Sequence, residues 1–125
     1  MGGKILIVED DPETRFMMAE FMDALGYDYE LAHDGSHCIA QVVRNPAEYA
    51  LILMDIHMPE VSGLEASAWI RGLDADPPRS TPIVLMSADT AYHCDKSATD
   101  LGLSGTLPKP VALNDLGATI QQHVI

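Results

Sequence analysis

Three observations predict an α/β fold, with a parallel sheet covered by helices on both faces, for this 125-residue chain. Short apolar runs alternate five times with longer amphipathic stretches. The runs are nearly continuous in apolarity, as strands buried on two faces are. Capping and stop residues fall where runs and amphipathic stretches meet. Strands alternating with helices of this length imply βαβ units and a parallel sheet.

The predicted strands are Lys4 to Val8, Tyr29 to Ala32, Leu51 to Met54, Ile83 to Met86 and Gly105 to Leu107. The last has the weakest pattern. The predicted helices are Pro12 to Leu25, Ser36 to Arg44, Gly63 to Leu73, Tyr92 to Leu101 and Leu113 to His123. Asp11-Pro12 reads as an N-cap followed by proline at the first helical position, and Gly26 as a C-terminal stop. The acidic, proline-containing segment Asp74 to Pro82 is a loop. No repeat or linker interrupts the chain, so one domain over residues 1–125 is expected.

Seven basic residues stand against 19 acidic ones, a net charge of −12. Such a field repels phosphate backbones, which argues against direct nucleic-acid binding. Apolar runs such as Ala50 to Met54 are far short of the ~20 residues of a spanning helix. Neither a membrane contact nor a signal peptide is expected, because Glu9, Asp10 and Asp11 soon follow Lys4. The cysteines, Cys38 and Cys94, match no disulfide framework or zinc pattern and read as reduced thiols in a cytoplasmic protein.

In open parallel sheets, ligands bind beyond the carboxyl ends of the strands. The first run here ends in Glu9, Asp10 and Asp11, the third in Asp55, the fourth in Ser87 and the fifth near Lys109. Chain-distant carboxylates, a hydroxyl and an amine would therefore meet at one sheet edge. Mg²⁺ takes one or two carboxylates plus other oxygens. A lysine and a hydroxyl can neutralise phosphoryl oxygens, and an ionised aspartate can accept a phosphoryl group. An acid directly after Leu51 to Met54 is costly to desolvate unless a cation or donor compensates.

The segments "ILIVEDDPETR", "LILMDIHMPEVSGLEA", "PIVLMSAD" and "GTLPKP" resemble, in order and over the whole chain, the receiver domains of response regulators and hybrid histidine kinases. The style of "MDIHMPEVSGLEA" is most similar to hybrid-kinase receivers. The resemblance implies a flavodoxin-like, doubly wound five-stranded sheet of order 2-1-3-4-5 with five helices. It implies that Asp55 accepts a phosphoryl group from a phosphohistidine in a two-component phosphorelay. Glu9, Asp10, Asp55 and the backbone carbonyl of His57 would hold Mg²⁺, with Mn²⁺ as a substitute. Ser87 and Lys109 would contact the phosphoryl group, and Pro59, Gly63, Ala88 and Pro110 would shape the site. The Lys109-Pro110 bond is expected to be cis. Asp11 is better explained as an N-cap than as a metal ligand.

Expected partners are a histidine kinase or a histidine phosphotransfer domain, with the domain a monomer or weak dimer and without turnover of its own. The resemblance leaves open a stand-alone receiver, a relay carrier and a piece of a hybrid kinase. It departs from the family at the switch position, where an aromatic residue gives way to Thr106. Tyr92 or His93 as substitutes, helix movement without an aromatic, and phosphotransfer alone all stay open.

The apolar set Phe16, Met17, Met18, Phe21, Met22 and Leu25 reads either as a docking patch for a four-helix phosphodonor or as a wide buried face. Trp69 is equally a core filler or an exposed anchor. Other chemistries fit less well. An aspartyl hydrolase would need an acid where His57 stands, and "EDDPE" would repel a flavin phosphate. A scaffold incapable of phosphorylation leaves the acid, serine and lysine set unexplained.

Overall fold

A computed structural model describes residues 3–88 and 102–124. Its strands are β1 (Lys4–Val8), β2 (Tyr29–Ala32), β3 (Tyr49–Asp55), β4 (Ile83–Ser87) and β5 (Gly105–Pro108). The helices among the described residues are α1 (Pro12–Leu25), α2 (Gly35–Arg44), α3 (Gly63–Arg71) and α4 (Leu113–Val124). The helix expected over 92–101 lies outside the described residues, as do Tyr92, His93 and Cys94. All strands pair in parallel in the order β2-β1-β3-β4-β5, which is the order that the resemblance implied.

Alternation along each strand divides the core into two layers. Leu6, Val8, Ile52, Met54, Ile83 and Leu85 face Cys38 and Val42 of α2 and Ala66 and Ile70 of α3. Ile5, Ile7, Leu51, Leu53, Val84 and Met86 face Met18 and Met22 of α1 and Leu116 and Ile120 of α4. Both faces are buried, which explains why the runs show no polar alternation.

Helix ends follow their caps. Asp11 accepts from the Thr14 N–H, Pro12 opens α1, and Gly26 closes it at φ 80°. The second helix begins at Gly35, one residue before the expected start, because Asp34 caps it through the His37 N–H. The third stops at Arg71, two residues early, where the Gly72 N–H takes the Ala68 carbonyl. Arg71 then turns back, its guanidinium donating to the carbonyls of Gly102, Arg79 and Thr81. It thereby holds the ordered loop 72–82 and the entry to β5.

On α1, only Met18 and Met22 are fully buried; Met17, Phe21 and Leu25 are half-buried, and Phe16 is 67% exposed. Trp69 is on the exposed face of α3.

Candidate functional site

The sheet order places the carboxyl ends of β1 and β3 side by side, with β4 next and β5 beyond it. Asp55 is the last residue of β3, paired with Met86, so its position is fixed by the sheet. Gly63 presses the start of α3 onto this point. A β-carbon at residue 63 would overlap the Asp55 carbonyl, and the Gly63 N–H donates to Ile56 O at 2.9 Å. Between them runs the rim loop, from Ile56 to Ser62, in which Glu60 takes the left-handed φ of 63°. Ser62 caps α3 in a reciprocal capping box with Glu65.

Glu9, Asp10 and Asp55 each offer a carboxylate oxygen, and these oxygens lie within 4.8 Å of one another. Glu9 is 1% and Asp55 3% exposed, so neither relies on water for charge compensation. Lys109 supplies the compensation: its Nζ donates to Glu9 Oε1 at 2.6 Å and to Asp55 Oδ1 at 3.1 Å. The second Glu9 oxygen accepts the Asp11 N–H at 3.1 Å. Arg15, one turn into α1, donates to the Glu9 carbonyl at 2.8 Å. Asp11 itself is committed to Thr14, accepting from its N–H at 3.1 Å and its hydroxyl at 2.6 Å.

The electrostatics follow from this crowding. Burial and the charge of Glu9 push Asp55 up to about 7, against the pull of Lys109. Burial alone would lower Lys109, but its bonds to Glu9 and Asp55 prevail and raise it. Asp55 is thus a carboxylate whose charge is poorly supported until another cation arrives.

The remaining expected residues surround this point. Ser87 ends β4, is buried, and its carbonyl accepts the Lys109 N–H at 3.0 Å. The Lys109-Pro110 bond is cis. Asp10, His57, Met58 and Pro59 line an open cleft on one side. Ala88, Lys109 and Pro110 line another, together with Thr14 and Met17 of α1. Thr106 is half-buried in β5, paired with Leu85, and does not reach the acids by any described bond. The sequence reading missed the direct grip of Lys109 on Glu9 and the anchor provided by Arg15. Only the turn spacing of "EDDPETR" hinted at the second.

The family model for the response regulator receiver domain matches residues 5–121. The peroxide stress-activated histidine kinase mak1 of Schizosaccharomyces pombe is 33% identical over 122 residues, covering 95% of this chain and 7% of that protein. Response regulator MprA of Mycobacterium tuberculosis is 33% identical over 121 residues, covering 97% of this chain and 50% of that one. This chain therefore spans half or less of the length of these relatives. Among solved structures, chemotaxis protein CheY4 of Vibrio cholerae aligns with a TM-score of 0.85 at 27% identity, covering 98% of this chain and 99% of its own. The receiver domain of sensor histidine kinase PA1611 from Pseudomonas aeruginosa aligns at 0.84 and 28% identity, covering 98% of each chain. That structure has a magnesium ion coordinated in its active site cleft. Fold and sequence agree with these relatives, and the chain belongs to the response regulator receiver domains of two-component signalling.

Proposed function

We propose that this domain accepts a phosphoryl group on Asp55 from the phosphohistidine of a histidine kinase or histidine phosphotransfer domain. The observation that carries this reading is the convergence of the Glu9, Asp10 and Asp55 carboxylates within 4.8 Å, with the Lys109 amine on two of them. The donor set is all oxygen, which suits Mg²⁺ or Mn²⁺ better than a softer metal. Glu9, Asp10, Asp55 and the His57 carbonyl are the residues that would hold it. When bound, the cation supplies positive charge beside the phosphoryl oxygens.

The chain's own groups do the rest. An Asp55 carboxylate oxygen forms the new bond to phosphorus as the phosphorus–nitrogen bond of the donor breaks, its electron pair leaving on the imidazole nitrogen. Lys109 neutralises one phosphoryl oxygen, and the Ser87 hydroxyl donates to another. Gly63 and Pro59 keep the rim loop close to Asp55, and the domain acts in one compartment with its kinase, the cytoplasm.

Incubation with acetyl phosphate and Mg²⁺, followed by intact-mass measurement, tests the reading. Wild type should gain the mass of one phosphoryl group and Asp55→Asn none. An unmodified wild type would sink the proposal, and rapid turnover of assorted phosphomonoesters would point to a hydrolase instead.

A further inference from the structure

The turn between β2 and α2 and the first turn of α2 each hold a histidine that the acid site does not use. The His33 and His37 rings stand with centroids 4.3 Å apart, tilted by 39°. The backbone N–H of His33 donates to His37 Nδ1 at 3.2 Å. A backbone amide can only donate, so this Nδ1 carries a lone pair and the neutral ring holds its proton on Nε2. Asp34 binds the turn from the other side. Its Oδ1 accepts the His37 N–H at 2.7 Å, and its Oδ2 faces His33 Nδ1 at 3.1 Å. A proton on His33 Nδ1 therefore meets a carboxylate, whereas a proton on His37 Nδ1 meets an N–H.

The residues flanking this turn touch the acid site at two places. The carbonyl of Ala32, next to His33, accepts the Glu9 N–H at 3.0 Å. Gly35, next to Asp34, packs against Val61 of the rim loop so closely that a β-carbon would collide with the Val61 carbonyl and side chain.

We propose that His33, Asp34 and His37 form a proton-sensitive latch, in which protonation of His37 breaks the His33 N–H···Nδ1 bond and loosens the turn that supports Glu9 and the rim loop. Protonation also places a positive charge beside the His33 ring, whose centroid is 4.3 Å away. The charged groups acting on His37 are His33 and Asp34 in the turn and Arg44 at the far end of α2; among the described residues, β1, β3 and α3 add none. Burial, His33 and Arg44 hold its pKa below the ordinary 6.5, and Asp34 opposes them. A histidine lowered on folding contributes stability that is complete above its unfolded value and is lost as pH falls toward the folded one. The same N–H argues against a metal at this pair, because ligation through His37 Nε2 would force the ring proton onto Nδ1. The latch stands whether or not Asp55 takes a phosphoryl group.

An NMR titration of the whole chain from about pH 8 down to about pH 4.5 tests it. The His37 ring should titrate below the ordinary histidine value, and the His33 and Glu9 amides should lose protection from hydrogen exchange with the same midpoint. His37→Asn places an amide oxygen where Nδ1 stood, so its His33 amide should stay protected across the range. A His37 ring that titrates at or above 6.5, or amides whose protection ignores its ionisation, would overturn the latch. The coincidence of midpoints in wild type decides the matter even if the variant folds poorly.

Discussion

Lys109 grips Glu9 more closely than it grips Asp55, at 2.6 Å against 3.1 Å, although 100 positions of chain separate Lys109 from Glu9. The amine thus stands as an internal cation on two of the three carboxylates proposed to hold a metal. Lys109→Met should tighten Mg²⁺ binding several-fold by removing this competitor. The same change should slow phosphoryl uptake from acetyl phosphate by roughly 10²-fold, the usual cost of losing a group that stabilises developing charge. Calorimetry and intact-mass kinetics check the two halves; Mg²⁺ binding that weakens in the variant would contradict the first.

Asp55→Asn should stabilise the metal-free chain in a pH-dependent way. With its pKa raised from 3.8 to about 7, the folded chain keeps a proton that the unfolded chain has lost. Wild-type stability therefore falls as pH rises from about 4 to about 7, and the variant escapes this loss. The gain above pH 7 has an upper limit of about 4 kcal/mol and should shrink to nothing near pH 4. Urea unfolding with a chelator present, repeated across this range, measures it; a constant difference between the two proteins would refute the assignment.

Two glycines should respond oppositely to alanine. Gly63→Ala drives a methyl group into the backbone at Asp55 and should cost at least about 2 kcal/mol, or prevent folding. At Gly105 the added carbon would meet Val84 Cγ2 and His123 Cε1 at 3.8 Å, an ordinary contact. Gly105→Ala should therefore raise stability by about 0.4–1 kcal/mol through the less flexible unfolded chain. Thermal melts distinguish the pair, and a destabilised Gly105→Ala would show that the space over β5 is less open than described.

Asp11→Ala separates capping from metal binding. It should cost about 1 kcal/mol of stability through the lost Thr14 bonds. Mg²⁺ affinity should be unchanged within error, in contrast to Asp10→Ala. A large fall in Mg²⁺ affinity with Asp11→Ala would place this residue among the ligands.

The strands were legible because burial on both faces writes itself as uninterrupted apolarity, most clearly in Leu51 to Met54. The added ends of β3 were less so. Tyr49 joins the strand by pairing with Lys4 across a register shift, and its hydroxyl finds Glu30 at 2.6 Å, a partner 19 positions away. Distance along the chain also hid the ion pair between Lys109 and Glu9, since no local pattern links the two. The exposure of Phe16 and the half-burial of Met17 depend on which way α1 is rolled against the sheet, and an apolar composition leaves that roll undetermined. The link between His33 and His37 had a local sign, an aspartate cap before a helix with histidines on either side at four-residue spacing. Ordinary turn chemistry writes the same sign, so the pattern by itself points to no function.

The rim loop is tied at both ends, by the Gly63 N–H on Ile56 O and by the capping box of Ser62 and Glu65. Between these fastenings the loop meets its surroundings at Val61, which packs against Gly35. Residues added or removed between His57 and Val61 would change the size of the ring while leaving its fastenings in place, at an entropic cost that grows only slowly with length. The same edit between Ser62 and Glu65 would undo the fastening itself. The stretch beside Asp55 thus behaves as an interchangeable part, able to present a different face to a partner without disturbing the strand end on which the chemistry is proposed to occur.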